Sequence, residues 1–125
     1  MIEDNLPDAV LVREALEEHG VEGELLVIGD GAAAIAYVET AKDRLPDLVI
    51  LDLNLPKRSG REVLQAIRQA AAFRDTAVVV LSSSGAHQDR ADTLAAGARQ
   101  YIRKPLRLEE FLDLGAVFRQ LLESA

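Results

Sequence analysis

The 125-residue chain contains no cysteine and no tryptophan, and aromatic residues make up only 4% of it. The lack of cysteine excludes disulfides, thiolate metal sites and cysteine nucleophiles. The sequence has no apolar run long enough to cross a membrane and no signal-peptide pattern. We therefore expect a soluble protein of the cytoplasm.

Positive charge is also in short supply. The chain has 14 lysine and arginine residues against 21 aspartate and glutamate residues, which gives a formal net charge of −7. Nonspecific nucleic-acid binding requires a basic face, so this balance argues against nucleic acid as a partner. The length fits one domain, predicted to cover residues 1–125, and leaves no room for an output domain.

Apolar stretches typical of buried strands alternate with helical ones. The predicted strands cover residues 24–28, 47–52, 76–82 and 99–102. The predicted helices cover residues 8–19, a segment capped by Asp30 and running through Val38, a segment from the Ser59 capping box through Ile67, and residues 89–96 and 108–122. This alternation predicts a doubly wound α/β fold with a parallel sheet between two layers of helices.

Polar side chains follow the predicted strands, at the edge where open α/β sheets bind ligands. Asp52 directly follows an apolar run, and Glu3, Asp4, Ser82 and Lys104 are expected at neighbouring strand ends. Three crowded carboxylates repel one another, so a hard divalent cation such as Mg²⁺ is expected among them. Together with the lysine and the serine hydroxyl, they fit phosphoryl transfer with Asp52 as the nucleophile.

Six short motifs support a family resemblance: "EDN" at 3–5, "DLNLP" at 52–56, "SG" at 59–60, "LSSS" at 81–84, "GA" at 97–98 and "YIRKP" at 101–105. In this order they resemble a response-regulator receiver domain of two-component signalling. The segments "EDNLPDAVLVREAL" and "LPDLVILDLNLPKRSGREVL" are most similar to single-domain regulators associated with bacterial phytochromes. The resemblance implies a flavodoxin-like sheet of five parallel strands in the order 2-1-3-4-5.

The resemblance also implies roles for individual positions. Asp52 resembles the phosphoacceptor, and Lys104 the phosphate-contacting lysine, whose bond to Pro105 is cis in the family. The implied Mg²⁺ ligands are Glu3, Asp4, Asp52 and the backbone carbonyl of Asn54, with Asp4 more direct than Glu3. Ser82 resembles the switch hydroxyl and Tyr101 the aromatic residue that follows it, although Tyr101 fits equally well as half-buried packing.

The implied activity is a signalling relay that takes a phosphoryl group from a sensor histidine kinase and switches a surface around the last two helices. It would also catalyse its own phosphorylation and dephosphorylation. A phytochrome-type kinase, a phosphotransfer protein and a second copy of the chain are the candidate partners.

The first strand departs from the family pattern, because only Met1 and Ile2 precede Glu3. A late start of the sequence, a truncated chain and a strand supplied by another chain would each explain this, and a late start is expected.

Three other functions share parts of this residue pattern. A phosphatase of the haloacid-dehalogenase type usually carries a second aspartate where this chain has Asn54. A flavin-binding flavodoxin would need a hydroxyl-rich phosphate loop and aromatic residues around the flavin. A pure docking module would not need the intact acidic set.

Overall fold

The computed structural model describes residues 1–124, in which helices and strands alternate. In chain order the elements are α1 (Leu6–Glu18), α2 (Gly31–Thr40), β1 (Leu48–Leu51), α3 (Gly60–Gln69), a 3₁₀ turn (Ala71–Phe73), β2 (Ala77–Ser82), α4 (His87–Ala95), β3 (Gln100–Arg103) and α5 (Leu108–Glu123). Within the described residues, no helix combines the length and the apolar character needed to span a membrane.

The three strands form a parallel sheet in the order β1-β2-β3. Next to β1, Ile2 makes parallel bridges to both Leu51 and Ile28. The N–H of Ile2 donates to the carbonyl of Ile50 at 2.8 Å, and the N–H of Asp52 donates to the carbonyl of Ile2 at 3.0 Å. Five chain segments therefore lie side by side in the predicted 2-1-3-4-5 order, although the two segments at one side are reduced to bridges.

The strand predicted at residues 24–28 is wrong except at its last residue. Only Ile28 is paired, through its N–H to the carbonyl of Met1 and its carbonyl to the N–H of Glu3, both at 2.9 Å. The carbonyl of Leu26 accepts a hydrogen bond from the N-terminal ammonium at 2.7 Å. An apolar stretch becomes a strand only if a neighbouring extended segment pairs with its backbone N–H and C=O groups. In the described part of the chain, no such segment lies beside residues 24–27.

Buried side chains cover both faces of the sheet, which confirms the doubly wound arrangement. All six residues of β2 are buried, as expected for the central strand of the three. Val78 and Val80 pack with side chains of α2 and α3 on one face. Val79 and Leu81 pack with side chains of α1 and α5 on the other. Alternate residues of a strand point to opposite faces, so one strand supports both cores.

The N-terminus of α1 lies close to the carboxyl ends of the strands. The helix begins at Leu6, two residues before the predicted start at Asp8. Asn5 caps it, because its side-chain oxygen accepts a hydrogen bond from the N–H of Asp8 at 3.1 Å. Pro7 follows in the first turn, where its missing N–H removes no helical hydrogen bond. The early start places Asp8 in the first turn, beside the sheet edge.

Candidate functional site

Four of the residues predicted from strand ends meet at one edge of the sheet. Glu3 follows the bridge residue Ile2, Asp52 follows β1, Ser82 ends β2 and Lys104 follows β3. Glu3, Asp52 and Ser82 are buried, at 1%, 5% and 0% exposure. The strands are parallel, so their carboxyl ends share this edge and bring the four side chains into one site.

Lys104 is the centre of the site. Its ammonium lies 2.8 Å from Glu3 Oε1, 2.8 Å from Asp8 Oδ2 and 3.2 Å from Asp52 Oδ2. Its side chain is only 12% exposed, so water screens these contacts little. The sequence predicts Asp8 only as the start of a helix and not as a residue of the site. Its position one helical turn after Asp4 was the available signal.

The acidic side of the site fits a divalent cation. Glu3, Asp4 and Asp52 each place one carboxylate oxygen within 4.8 Å of the others. Glu3 Oε1 is buried and accepts no hydrogen bond of good geometry, although it forms an ion pair with Lys104. Three carboxylates, those of Glu3, Asp8 and Asp52, contact the Lys104 ammonium, and Asp4 adds a fourth to the acidic side of the site. Such an excess of hard oxygen ligands is the chemistry that Mg²⁺ selects.

Crowding changes the proton affinity of the buried acid. Burial raises the pKa of Glu3 to about 7, and the neighbouring Asp52 carboxylate acts in the same direction, while Lys104 opposes both. Burial alone would lower the pKa of Lys104, but its contacts with the Asp8, Glu3 and Asp52 carboxylates outweigh this effect, and the net pKa is raised. Lys104 therefore stays a cation at neutral pH, whereas Glu3 exchanges its proton in that range.

This shift of Glu3 predicts a pH dependence of stability. Folded Glu3 binds its proton more tightly than unfolded Glu3, whose pKa is about 4.5. This tighter proton binding stabilises the metal-free protein at low pH. As the pH rises from about 4.5 to 7 the stabilisation is lost, and the free energy of unfolding falls by roughly 2–3 kcal/mol. Gln cannot titrate, so the free energy of unfolding of Glu3→Gln, measured with urea in EDTA, should increase relative to that of wild type as the pH rises. The difference between the two proteins cancels the titration of other groups.

The exposed Glu39→Gln on α2 is the matched control and should show no such trend. A difference between wild type and Glu3→Gln that stays constant from pH 5 to 8 would contradict the raised pKa.

The family relationship is decided by the sequence comparison. Residues 1–114 match the response regulator receiver domain family. The chain belongs to this family. It is a response-regulator receiver, a phospho-accepting signalling module.

Relatives of this receiver include regulators linked to phytochromes. Response regulator Rcp1 of Synechocystis sp. is 34% identical over 118 residues, which cover 91% of this chain and 80% of that protein. The structure of the phosphorylated cyanobacterial phytochrome response regulator RcpA is 34% identical, with a TM-score of 0.89 over 99% of this chain and 92% of the other. A Mn²⁺-bound form of Rcp1 is 32% identical, with a TM-score of 0.88 and coverages of 99% and 93%.

In this receiver, two backbone contacts hold Asp52 and the loop after it. The N–H of Asn54 donates to Asp52 Oδ1 at 3.2 Å, which leaves Oδ2 facing Lys104. The ligand role of the Asn54 carbonyl stays a prediction. The N–H of Gly60 donates to the carbonyl of Leu53 at 3.0 Å. A Cβ at Gly60 would lie 2.4 Å from the carbonyl oxygen of Asp52, so any side chain there would displace the site backbone.

The predicted switch pair of the receiver, Ser82 and Tyr101, is joined through Ser84, which the sequence presents only as the end of the "LSSS" motif. The N–H of Ser84 donates to Ser82 Oγ at 3.3 Å, and its carbonyl accepts from the Tyr101 hydroxyl at 2.7 Å. Ser84 Oγ donates to Asp89 Oδ2 at 2.5 Å, and Asp89 pairs with Arg61 of α3. Tyr101 is 5% exposed. It is therefore more than strand-end packing, because its hydroxyl ties β3 to the loop after β2.

The cis bond implied before Pro105 is absent, since the described residues of the receiver contain no cis peptide bond. The trans isomer is the intrinsic preference of X–Pro bonds by about 0.5–1 kcal/mol. In this geometry the N–H of Lys104 donates to the carbonyl of Ser82 at 2.7 Å.

Proposed function

We propose that Asp52 is the phosphoacceptor and that it takes its phosphoryl group from a phosphohistidine of a sensor histidine kinase. The observation that supports this most is the setting of its carboxylate. One oxygen is fixed by the Asn54 N–H at 3.2 Å, and the other lies 3.2 Å from the Lys104 ammonium. A buried carboxylate with a fixed orientation and a nearby cation is poised as a nucleophile.

The transfer exchanges one bond to phosphorus for another. A carboxylate oxygen of Asp52 forms the new P–O bond, and the P–N bond to the kinase histidine breaks. The electron pair of that bond stays on the imidazole nitrogen, which takes up a proton. Lys104 stabilises the negative charge on the phosphoryl oxygens during this exchange. Hydrolysis of the aspartyl phosphate by water, catalysed by the same residues, would reset the protein.

The residues that would hold Mg²⁺ are Glu3, Asp4, Asp52 and the backbone carbonyl of Asn54. When bound, the ion supplies positive charge against the phosphoryl oxygens and relieves repulsion among the carboxylates. The acidic group of this chain supports the assignment. So does the Mn²⁺-bound form of its relative Rcp1.

The phosphorylated state would be read out through Ser82 and Tyr101. In the structure Ser82 Oγ accepts a hydrogen bond from the Ser84 N–H, and its own proton is available for a phosphoryl oxygen. A new bond of this kind would shift the loop to which the Tyr101 hydroxyl is attached. The changed surface lies around α4, β3 and α5. Similarity to RcpA supports a phytochrome-type kinase as donor, and a phosphotransfer protein or a second copy remain candidate readers.

Incubation with acetyl phosphate and Mg²⁺ tests the proposal. We expect the intact mass to increase by one phosphoryl group that hydroxylamine removes and that maps to Asp52 by peptide analysis. EDTA should prevent the gain. A phosphoryl group on another residue, or no gain at saturating Mg²⁺, would overturn the assignment. Sustained turnover of a generic phosphate ester would favour the phosphatase alternative instead.

A further inference from the structure

Of the carboxylates that contact Lys104 within residues 1–124, only that of Asp8 lies outside the acidic group that fits a cation. Its Oδ2 is 2.8 Å from Lys104 Nζ, closer than Asp52 Oδ2 at 3.2 Å. Glu3 and Asp52 also contact the ammonium, but both belong with Asp4 to the acidic group that fits a divalent cation. The Asp8 side chain is 19% exposed. This contact therefore combines a short distance with limited access of water.

The start of α1 fixes where Asp8 lies. Its N–H donates to the side-chain oxygen of the N-cap residue Asn5, and Pro7 restricts the backbone just before it. The N-terminal end of a helix carries partial positive charge, which favours a carboxylate in the first turn. Asp8 is consequently a fixed negative charge supplied by the scaffold of the fold.

Lysine needs such an anchor more than other site residues do. Its four-carbon stem is flexible, and its ammonium donates up to three hydrogen bonds. A cation drawing on Glu3 and Asp52 would weaken two of the three contacts that hold Lys104. The contact with Asp8 would persist, because Asp8 is not part of that group.

We propose that Asp8 is a positioning residue for phosphoryl transfer, which holds the Lys104 ammonium over Asp52 when the other two carboxylates are engaged. This inference rests on the proposed function of Asp52. Asp8 does not touch the reacting atoms. It limits the conformations of Lys104, so that the ammonium is already in place when the P–O bond to acetate or the P–N bond to histidine breaks.

A double-mutant cycle over Asp8 and Lys104 tests the inference. Phosphorylation by acetyl phosphate is followed at saturating donor and Mg²⁺ in wild type, Asp8→Asn, Lys104→Met and the double variant. We expect Asp8→Asn to lower the rate constant about tenfold, within the range expected when a catalytic group is misplaced. In the Lys104→Met background the same change should have little effect. The affinity for Mg²⁺, measured by calorimetry, should change less than about twofold.

Stability without metal and a matched control variant provide two further tests. Urea unfolding in EDTA should show that Asp8 and Lys104 are energetically coupled, since they are in direct contact. Asp75→Asn removes the same charge from an exposed position before β2, at the opposite end of the sheet, and should behave like wild type. Asp8→Glu keeps the charge and should recover part of the lost rate.

The outcomes separate this inference from the function on which it rests. If wild type gains no phosphoryl group, the assignment of Asp52 fails and the role of Asp8 fails with it. If wild type is phosphorylated and Asp8→Asn reacts at least as fast, only the role of Asp8 is overturned. A faster reaction would show in addition that Asp8 competes with the phosphoryl group for Lys104. An equal loss in the Lys104→Met background would also overturn it, because Asp8 would then act without the lysine.

Discussion

Asp52→Asn is expected to abolish the Mg²⁺-dependent gain of a phosphoryl group from acetyl phosphate. The amide has nearly the shape of the carboxylate, and its oxygen can still accept the hydrogen bond from the Asn54 N–H. The amide has no negatively charged oxygen that could attack phosphorus. We expect a loss of at least about 10³-fold, as for removal of a covalent nucleophile, measured as the intact mass over time.

The same variant should also bind Mg²⁺ more weakly, because one of the three clustered carboxylates loses its charge. Asp47→Asn is the matched control, since Asp47 is exposed and immediately precedes β1, at the other end of the strand from Asp52. It should be phosphorylated like wild type. Persistence of the mass gain in Asp52→Asn would assign the acceptor to another carboxylate of the site.

The central residues of the site could be predicted because the strand-end rule needs no side-chain detail. Asp52 follows β1 and Lys104 follows β3, and parallel strands bring their carboxyl ends to one edge. The contact between Asp8 and Lys104 joins residues 96 positions apart. It depends on where α1 begins and how it meets the sheet, which local periodicity does not determine.

Two features that the sequence did not predict have a related physical cause. Residues 24–28 have the composition of a strand, but pairing depends on a partner, and Ile2 offers only one bridge there. From the sequence, Ser84 is only the last residue of the "LSSS" motif. Its backbone joins Ser82 to Tyr101 across two strands, a contact that no single stretch of sequence encodes. Local periodicity is enough to predict the helices. The strand at 24–28 and the contacts of Ser84 depend on tertiary partners, which local periodicity does not identify.

Lys104→Met is expected to cause the largest loss of stability among single changes at the site. Methionine keeps the length and apolar stem of lysine but removes the charge shared by Glu3, Asp8 and Asp52. Breaking a buried pair by removing one partner typically costs about 3–5 kcal/mol, and water at the partly exposed Asp8 should reduce the cost to about 3 kcal/mol. Urea unfolding in EDTA at pH 8 measures it.

Two conditions should weaken this loss if repulsion among the carboxylates is its cause. Mg²⁺ should restore part of the stability, because the ion replaces the missing positive charge. Lowering the pH should do the same by protonating Glu3, whose pKa is raised by burial and would rise further without Lys104. Lys42→Met, a matched change at an exposed lysine after α2, should respond to neither. A loss in Lys104→Met that is insensitive to both would instead indicate a packing defect, and the electrostatic account of the site would be wrong.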